Sequence, residues 1–276
     1  MGFLLKKLKK SKLKQILKNN KVLYNLFFNV YQLLIPGHEF FRFKPFLAFK
    51  KYFWYFSTLL DFNRLKHNYK FKTLMLHPCL FDNTVITPIE PIYFYQDLWF
   101  ASHIFHRKPK IHFDIGSSIK TMSILAQFTK IVFVDIRPPN IDVPNMEFIK
   151  GDITNLPFAN NSINSLSSIC VIEHIGLGRY GDKLDQFGSE KAIMELKRVL
   201  APKVFLYISI PVDSENKIYF NAHRAFTRDY ILELFDGFEI IEEKYTYGYN
   251  LVDRYEKEKG FGTGLYIFRK RRDLNA

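Results

Sequence analysis

The sequence predicts an α/β protein built around a doubly wound, mostly parallel sheet, and three observations carry that expectation. Short apolar segments alternate with helix-sized segments from residue 93 onward, the pattern of a parallel sheet covered by helices on both faces. Three of the apolar segments close on an aspartate, Asp114, Asp135 and Asp152, and such sheets bind ligands at the carboxyl ends of their strands. With 47% hydrophobic, 17% aromatic and 24% charged residues over 276 positions, the chain has apolar material for a sizeable core in one or two domains. That composition excludes a disordered chain and a fibrous one. Cys79 and Cys170, the two cysteines, stand far apart with no Cys-x-x-Cys or Cys/His cluster. A disulfide scaffold and a zinc finger are excluded, and a reducing compartment is favoured.

Charge is segregated along the chain. Residues 1–73 hold fourteen Lys, two Arg and two acids (Glu39 and Asp61), a net +14, so residues 74–276 carry −1. Seven lysines fall within the first twenty residues with no acid among them, and Leu4, Leu5, Leu8, Leu13, Ile16 and Leu17 recur between them at helical spacing. This describes a helical, basic N-terminal extension suited to an anionic membrane surface, where leucines enter the interface and lysines meet headgroups. A solvated basic helix packed on its own domain and a nucleic-acid contact are the other readings of the same residues. Residues 22–37 are interrupted by Asn25, Asn29 and Gln32 and are too short and polar to span a bilayer. No signal-peptide pattern follows the lysines. Residues 1–36 are therefore expected to form a membrane-surface segment, with the protein cytoplasmic and peripheral at the inner face of the cytoplasmic membrane.

Residues 37–92 form a second segment, dense in aromatics (FFRFKPFLAFKKYFWYF, residues 40–56) and without a sustained period. It is expected to be a cover of helix and loop, whose rings either fill a second small core or face a ligand. Residues 93–276 form the third segment, opened by the helical run YFYQDLWFASHIF after Pro88 and Pro91. KIHFDIG is its first strand, TMSILAQF a helix with Met122, Leu125 and Phe128 on one face, and KIVFVDI the second strand. MEFIKGDI and SLSSICVI follow as third and fourth strands. The helix SEKAIMELKRVL, with Ser189 as its N-cap, leads to the fifth strand VFLYISIPV. FEIIEEKY and GLYIFRKR make a final antiparallel pair.

Gly116, just past the first strand, lets the backbone approach a ligand, and Asp135 closes the second strand 21 residues after Asp114. A carboxylate there can accept both ribose hydroxyls of a nucleoside. The first turn, GSSIK, has Ser118 and Lys120 where a dinucleotide fingerprint has its second and third glycines. A pyrophosphate cradle is a poor fit, and a nucleoside without phosphate is acceptable.

DIGSS (114–118), VDI (134–136), GDITNLPFANNSINSLSSICVIEHI (151–175) and ELKRVLAPKVFLYISIPV (195–212) resemble, in order and spacing, the class I S-adenosylmethionine-dependent methyltransferases, a Rossmann-like family. The resemblance covers residues 93–271. YQDLW, GLGRYGD and FNAHRAF further look like a bacterial subfamily that accompanies cell-surface polysaccharide and capsule biosynthesis. It implies S-adenosylmethionine as cofactor, with Asp114, Gly116 and Ser117 at the methionine moiety, Asp135 at the ribose, and Asp152 with the backbone of Ile153 at the adenine. It also implies O-methylation of a sugar or glycan precursor of the cell surface. Ser118 and Lys120 depart from the family's glycine pattern, which leaves open a second reading, a non-catalytic membrane-associated scaffold that keeps the fold.

Methyl transfer to a hydroxyl is an in-line displacement, so the enzyme aligns the nucleophile and removes its proton. Histidine suits that task near neutral pH. His223, after the fifth strand, is the first candidate base and His174, after the fourth, its rival. Arg179, Tyr180, Asp182 and Arg224 share the same two loops and are candidates for binding a sugar or a phosphate. No recognised ligand spacing supports a metal. Nucleic acid is a poor substrate class: the fourth strand ends in CVIEH instead of an Asn/Asp-Pro-Pro-aromatic turn, and residues 74–276 offer little phosphate-binding charge.

Overall fold

The computed structural model describes residues 20, 22, 23, 26, 29, 30, 45–65 and 74–271. The basic helix expected within residues 1–36 therefore lies outside the described residues, apart from six positions. The chain divides into two units, Met1–Pro88 and Ile89–Ala276.

In the first unit the described part of the aromatic run, residues 45–56, lies in one helix, α1 (Pro45–Arg64). Ala48 is fully buried, whereas Phe46, Phe49 and Phe53 are 83%, 68% and 68% exposed. Tyr52, Trp54 and Tyr55 of the same helix are half-buried, so the rings of α1 divide between a covered side and an exposed one.

The second unit opens with α2 (Pro91–Arg107), started by Glu90, whose carboxylate accepts from the Tyr93 amide, and by Pro91 in its first turn, where a missing N–H costs nothing. Then come β1 (Ile111–Ile115), α3 (Ile119–Leu125), β2 (Lys130–Asp135), β3 (Met146–Lys150), β4 (Leu166–Ile169) and α4 (Gly188–Val199). They are followed by β5 (Phe205–Val212), β6 (Lys217–Tyr219), β7 (His223–Ala225), α5 (Arg228–Leu234), β8 (Phe238–Tyr247), β9 (Asn250–Val252) and β10 (Gly262–Lys270). Eight strands form one sheet in the order β3-β2-β1-β4-β5-β10-β8-β9, while β6 and β7 pair separately as a hairpin. β1 to β5 run parallel, and β10 is antiparallel to both β5 and β8. The fold is the doubly wound sheet expected, and the expected C-terminal pair is β8 with β10.

Helices cover both faces, which is why β2 and β5 are near-continuous apolar runs. On one face α2 places Trp99, Phe100 and Ile104 against Met122 and Leu125 of α3 and against Phe133, Ile169 and Tyr207 of the strands. On the other, Ala192, Ile193, Leu196 and Val199 of α4 pack with Ile231 and Phe235 on Val132, Leu206, Ile208 and Phe268. Each such large side chain stabilises the fold by about 1.5–3 kcal/mol through burial.

Two local expectations are corrected. α3 stops at Leu125, so Phe128 falls beyond the helix and is 43% exposed, edge-on to Phe105. Ser189 is not an N-cap: α4 begins at Gly188, and the buried Ser189 hydroxyl donates to the Ile172 carbonyl at 2.8 Å.

Candidate active site

A cleft of about 190 Å³, open on one side to solvent, lies across the carboxyl ends of four adjacent strands, β3, β2, β1 and β4. The strand order reverses direction between β1 and β4, where doubly wound sheets leave a crevice. Ile115 and Gly116 line it from β1, Val134, Asp135, Ile136 and Arg137 from β2, and Gly151 and Ile153 from β3. Cys170, Val171, His174, Ile175 and Tyr180 complete it from the segment after β4. The walls are mainly aliphatic, with a few polar groups converging, as small-molecule sites require.

Gly116 has φ +72°, a conformation that disfavours a side chain, and a Cβ there would stand 3.1 Å from Val171 Cγ1 and 3.9 Å from Asp135 Oδ2. Its missing side chain therefore leaves open a slot between those two residues. Asp135 accepts the Arg137 amide on Oδ1 at 2.7 Å, and no described residue donates to its Oδ2. A carboxylate oxygen beside bare backbone suits the hydroxyls of a nucleoside. Ser118 in the first turn is occupied as the N-cap of α3, accepting from the Thr121 amide. These features fit an adenosyl group that brings no phosphate.

Several expected site residues serve the scaffold instead. Asp114 is fully buried beneath the turn: its carboxylate accepts from the Ser117 amide and hydroxyl and from the Ser167 hydroxyl. Burial pushes its pKa up to about 6 against those hydrogen bonds. Ser117 Oγ, in turn, accepts from the Ile169 amide at 2.9 Å, which ties the first turn to β4. Behind them His112, fully buried between the hydroxyls of Ser165 and Ser167, is held neutral, its pKa pushed down to about 3 by burial. Asp114 and Ser117 thus shape the turn and do not line the cleft. Asp152 is exposed and caps its own turn, accepting from the Thr154 amide and hydroxyl at 2.8 Å each, while Ile153 beside it does line the cleft.

The two candidate bases separate. His174 lies in the cleft, with Nδ1 2.6 Å from the Ala222 carbonyl. A carbonyl only accepts, so Nδ1 carries the proton and Nε2 is the acceptor. Burial pushes its pKa down to about 4, so the ring is neutral at physiological pH. Glu173 precedes it, 2% exposed, its pKa pushed up to about 8 by burial, with Oε2 lacking any partner. His223 does not line the cleft. Its ring lies 6.4 Å from that of His174, between Tyr219 and Phe261 at 4.9 and 5.4 Å, with Nε2 buried and unpartnered.

The loop after His174 likewise divides its residues. Asp182 accepts from the Gly176, Gly178 and Tyr180 amides, which hold its pKa below the usual carboxylate range despite partial burial. Arg224 is 6% exposed and donates to the carbonyls of Ile175, Asp185 and Gln186 and to Ser189 Oγ. Both residues therefore fix the loop and are not free to bind a substrate. Gly176 belongs to the same clasp: at φ +82° a Cβ there would overlap the Asp185 carbonyl. Arg179 and Tyr180 do reach the mouth. The Arg137 and Arg179 guanidiniums stand 4.9 and 5.1 Å from the Tyr180 ring centre, and neither has a carboxylate partner among the described residues.

Arg137 and Cys170 are the polar site residues that sequence reasoning missed, along with the apolar walls Ile115, Val134, Ile136, Val171 and Ile175. Arg137 follows Asp135 by two positions, a signal within reach of the motif. Cys170 sits at φ +53°, uncommon for a residue with a side chain, at the turn where β4 leaves the sheet. Its thiol, whose pKa burial raises well above the usual value, donates to Gln96 Oε1. No cluster of His, Cys, Asp or Glu among the described residues is arranged to hold a metal ion.

Residues 122–258 match the family described as Caenorhabditis protein of unknown function, DUF268. No curated protein matches the chain. Among solved structures, the [4+2]-cyclase SpnF is similar at 14% identity, with 63% of this chain and 81% of that one covered and a TM-score of 0.48. The 1,6-didemethyltoxoflavin-N1-methyltransferase of Burkholderia thailandensis, solved with S-adenosylhomocysteine bound, is 14% identical over 66% of this chain and 84% of its own, with a TM-score of 0.45. A SAM-dependent methyltransferase of Methanosarcina mazei is 15% identical over 62% of this chain and 98% of its own, with a TM-score of 0.42.

Proposed function

We propose that the chain is an S-adenosylmethionine-dependent methyltransferase that methylates a hydroxyl of a sugar or glycan precursor bearing phosphate, such as a nucleotide- or lipid-linked one. The observation that carries the reading is the pairing of Gly116 and Asp135 in one cleft, bare backbone beside an unpartnered carboxylate oxygen. They would hold the adenosyl part, with Ile136, Ile153 and Val171 as apolar walls. When bound, S-adenosylmethionine supplies an electrophilic methyl group. His174 Nε2 takes the proton of the acceptor hydroxyl while Ala222 holds the ring's tautomer. Arg137 and Arg179 beside Tyr180 support the acceptor class, because guanidinium favours phosphate and an aromatic face favours a sugar ring. Neither has a carboxylate partner among the described residues: Arg179 donates only to the Ala222 carbonyl at 3.0 Å and stands 3.4 Å from His174 Nδ1.

Calorimetric titration with S-adenosylmethionine and S-adenosylhomocysteine tests the reading. Both should bind the unmodified protein, and Asp135→Ala should bind each about 10- to 100-fold more weakly, the equivalent of about 1–3 kcal/mol for a lost buried hydrogen-bond acceptor. Absence of binding by the unmodified protein would overturn the assignment in favour of a scaffold.

A further inference from the structure

α1 carries an apolar face that the cleft chemistry leaves unexplained. Phe46, Phe49, Phe53, Phe56 and Leu60 are 83%, 68%, 68%, 43% and 60% exposed. Spaced three and four residues apart, they fall within an arc of about 80° on a helix of 3.6 residues per turn. The opposite side holds the fully buried Ala48. The stripe leaves on the order of 500 Å² of apolar surface in water, about as much as the largest patches of ordinary monomers, which are themselves often functional.

The charge around the stripe identifies what covers it. Exposed Lys50 flanks it and Arg64 ends it, while Asp61, the one acid of α1, is paired with Arg64 at 3.1 Å. Across residues 1–73 sixteen cations face two acids. No helix among the described residues is long and apolar enough to cross a membrane. An apolar stripe flanked by Lys50, on a helix that cannot span and within the strongly basic first quarter of the chain, matches an element lying in the plane of a bilayer interface.

We infer that α1 docks in the interface of an anionic lipid bilayer, with Phe46, Phe49, Phe53, Phe56 and Leu60 immersed and Lys50 among the headgroups. The lysines of residues 1–36 add attraction without supplying the apolar anchor. The inference is independent of the methyl-transfer reading.

The test is sedimentation of the full chain with vesicles of phosphatidylcholine, alone and mixed with phosphatidylglycerol. The protein should follow the mixed vesicles and largely ignore the neutral ones. Phe46→Ser/Phe49→Ser/Phe53→Ser should bind about tenfold or more weakly at an unchanged melting temperature, because these three rings are the most exposed of the stripe. A second measurement places a probe in the stripe itself: in Phe53→Trp, lipids brominated on their acyl chains should quench the added emission above that of Trp54 and Trp99. Equal binding by the triple variant, or equal binding to neutral vesicles, overturns the inference. So does an unmodified protein that ignores vesicles but forms a dimer which the triple variant dissolves, since a second copy would then be the occupant.

Discussion

Cys170 donates its thiol hydrogen to Gln96 Oε1 across 3.0 Å, and Ser209 donates to the same oxygen at 2.9 Å. One buried amide thereby joins α2 to the carboxyl ends of β4 and β5, beside the wall of the cleft. Cys170 Sγ and Ser209 Oγ also stand 3.2 Å apart, so Gln96→Leu should leave one of the two hydrogens without an acceptor and lower stability by about 1–2 kcal/mol, read by denaturant titration. If stability held, the helix would be docked by Trp99, Phe100 and Ile104 alone.

His174 is neutral well below physiological pH, since burial pushes its pKa down to about 4. A base of this kind must be unprotonated, so kcat/KM should persist on acidification until the pH nears about 4, where an ordinary histidine would fail near 6.5. His174→Ala should slow turnover by about 10² to 10⁴ and leave cofactor affinity intact. His223→Ala should have the smaller effect, because its ring stands outside the cleft.

Glu173 keeps its proton up to about pH 8 when folded and loses it near 4.5 when unfolded. Between those values the folded chain binds more protons than the unfolded one, so this group makes stability fall as pH rises through that window. Glu173→Gln removes the contribution. Its melting temperature should decline less between pH 5 and 8 than that of the unmodified protein, on the order of a few degrees in a calorimetric series. Identical slopes would mean that Glu173 is ionised in the folded state.

Arg179 stands 3.4 Å from His174 Nδ1 and Arg224 donates to the carbonyl of the next residue, Ile175, but the two should respond differently to replacement. Arg224→Met strips donors from the part-buried carbonyls of Ile175, Asp185 and Gln186 and should cost about 1–3 kcal/mol of stability. Arg179→Met, at the exposed mouth, should change stability by about 0.5 kcal/mol or less and weaken binding of phosphate-bearing acceptors. A comparison of melting curves with acceptor titrations separates the two roles.

The strands and their order of use were legible because apolar runs ending in Asp or Gly are dictated by burial on both faces, a property written residue by residue. Gly116 and Asp135 were legible for the same reason, since a strand end fixes which atoms meet the crevice. Direction was not. Asp182, Arg224 and Asp114 lie in the right loops, yet their side chains turn toward amides, carbonyls and hydroxyls of the scaffold, a choice decided by partners distant in sequence. Cys170 escaped notice because its left-handed backbone has no residue-type signature. The His112 chain escaped because a histidine among apolar residues does not announce the serines of β4 that satisfy it.

β10 follows every other strand in sequence, yet it lies inside the sheet between β5 and β8, pairing with both. Until it is synthesised, β5 and β8 each present a row of unpaired amides and carbonyls, the geometry that invites pairing with another chain. The cleft-bearing strands β1 to β4 all precede β10 in the chain, so the edges of β5 and β8 stay open until the last strand is made. A protein halted before residue 262 would carry a formed crevice on a sheet that cannot close.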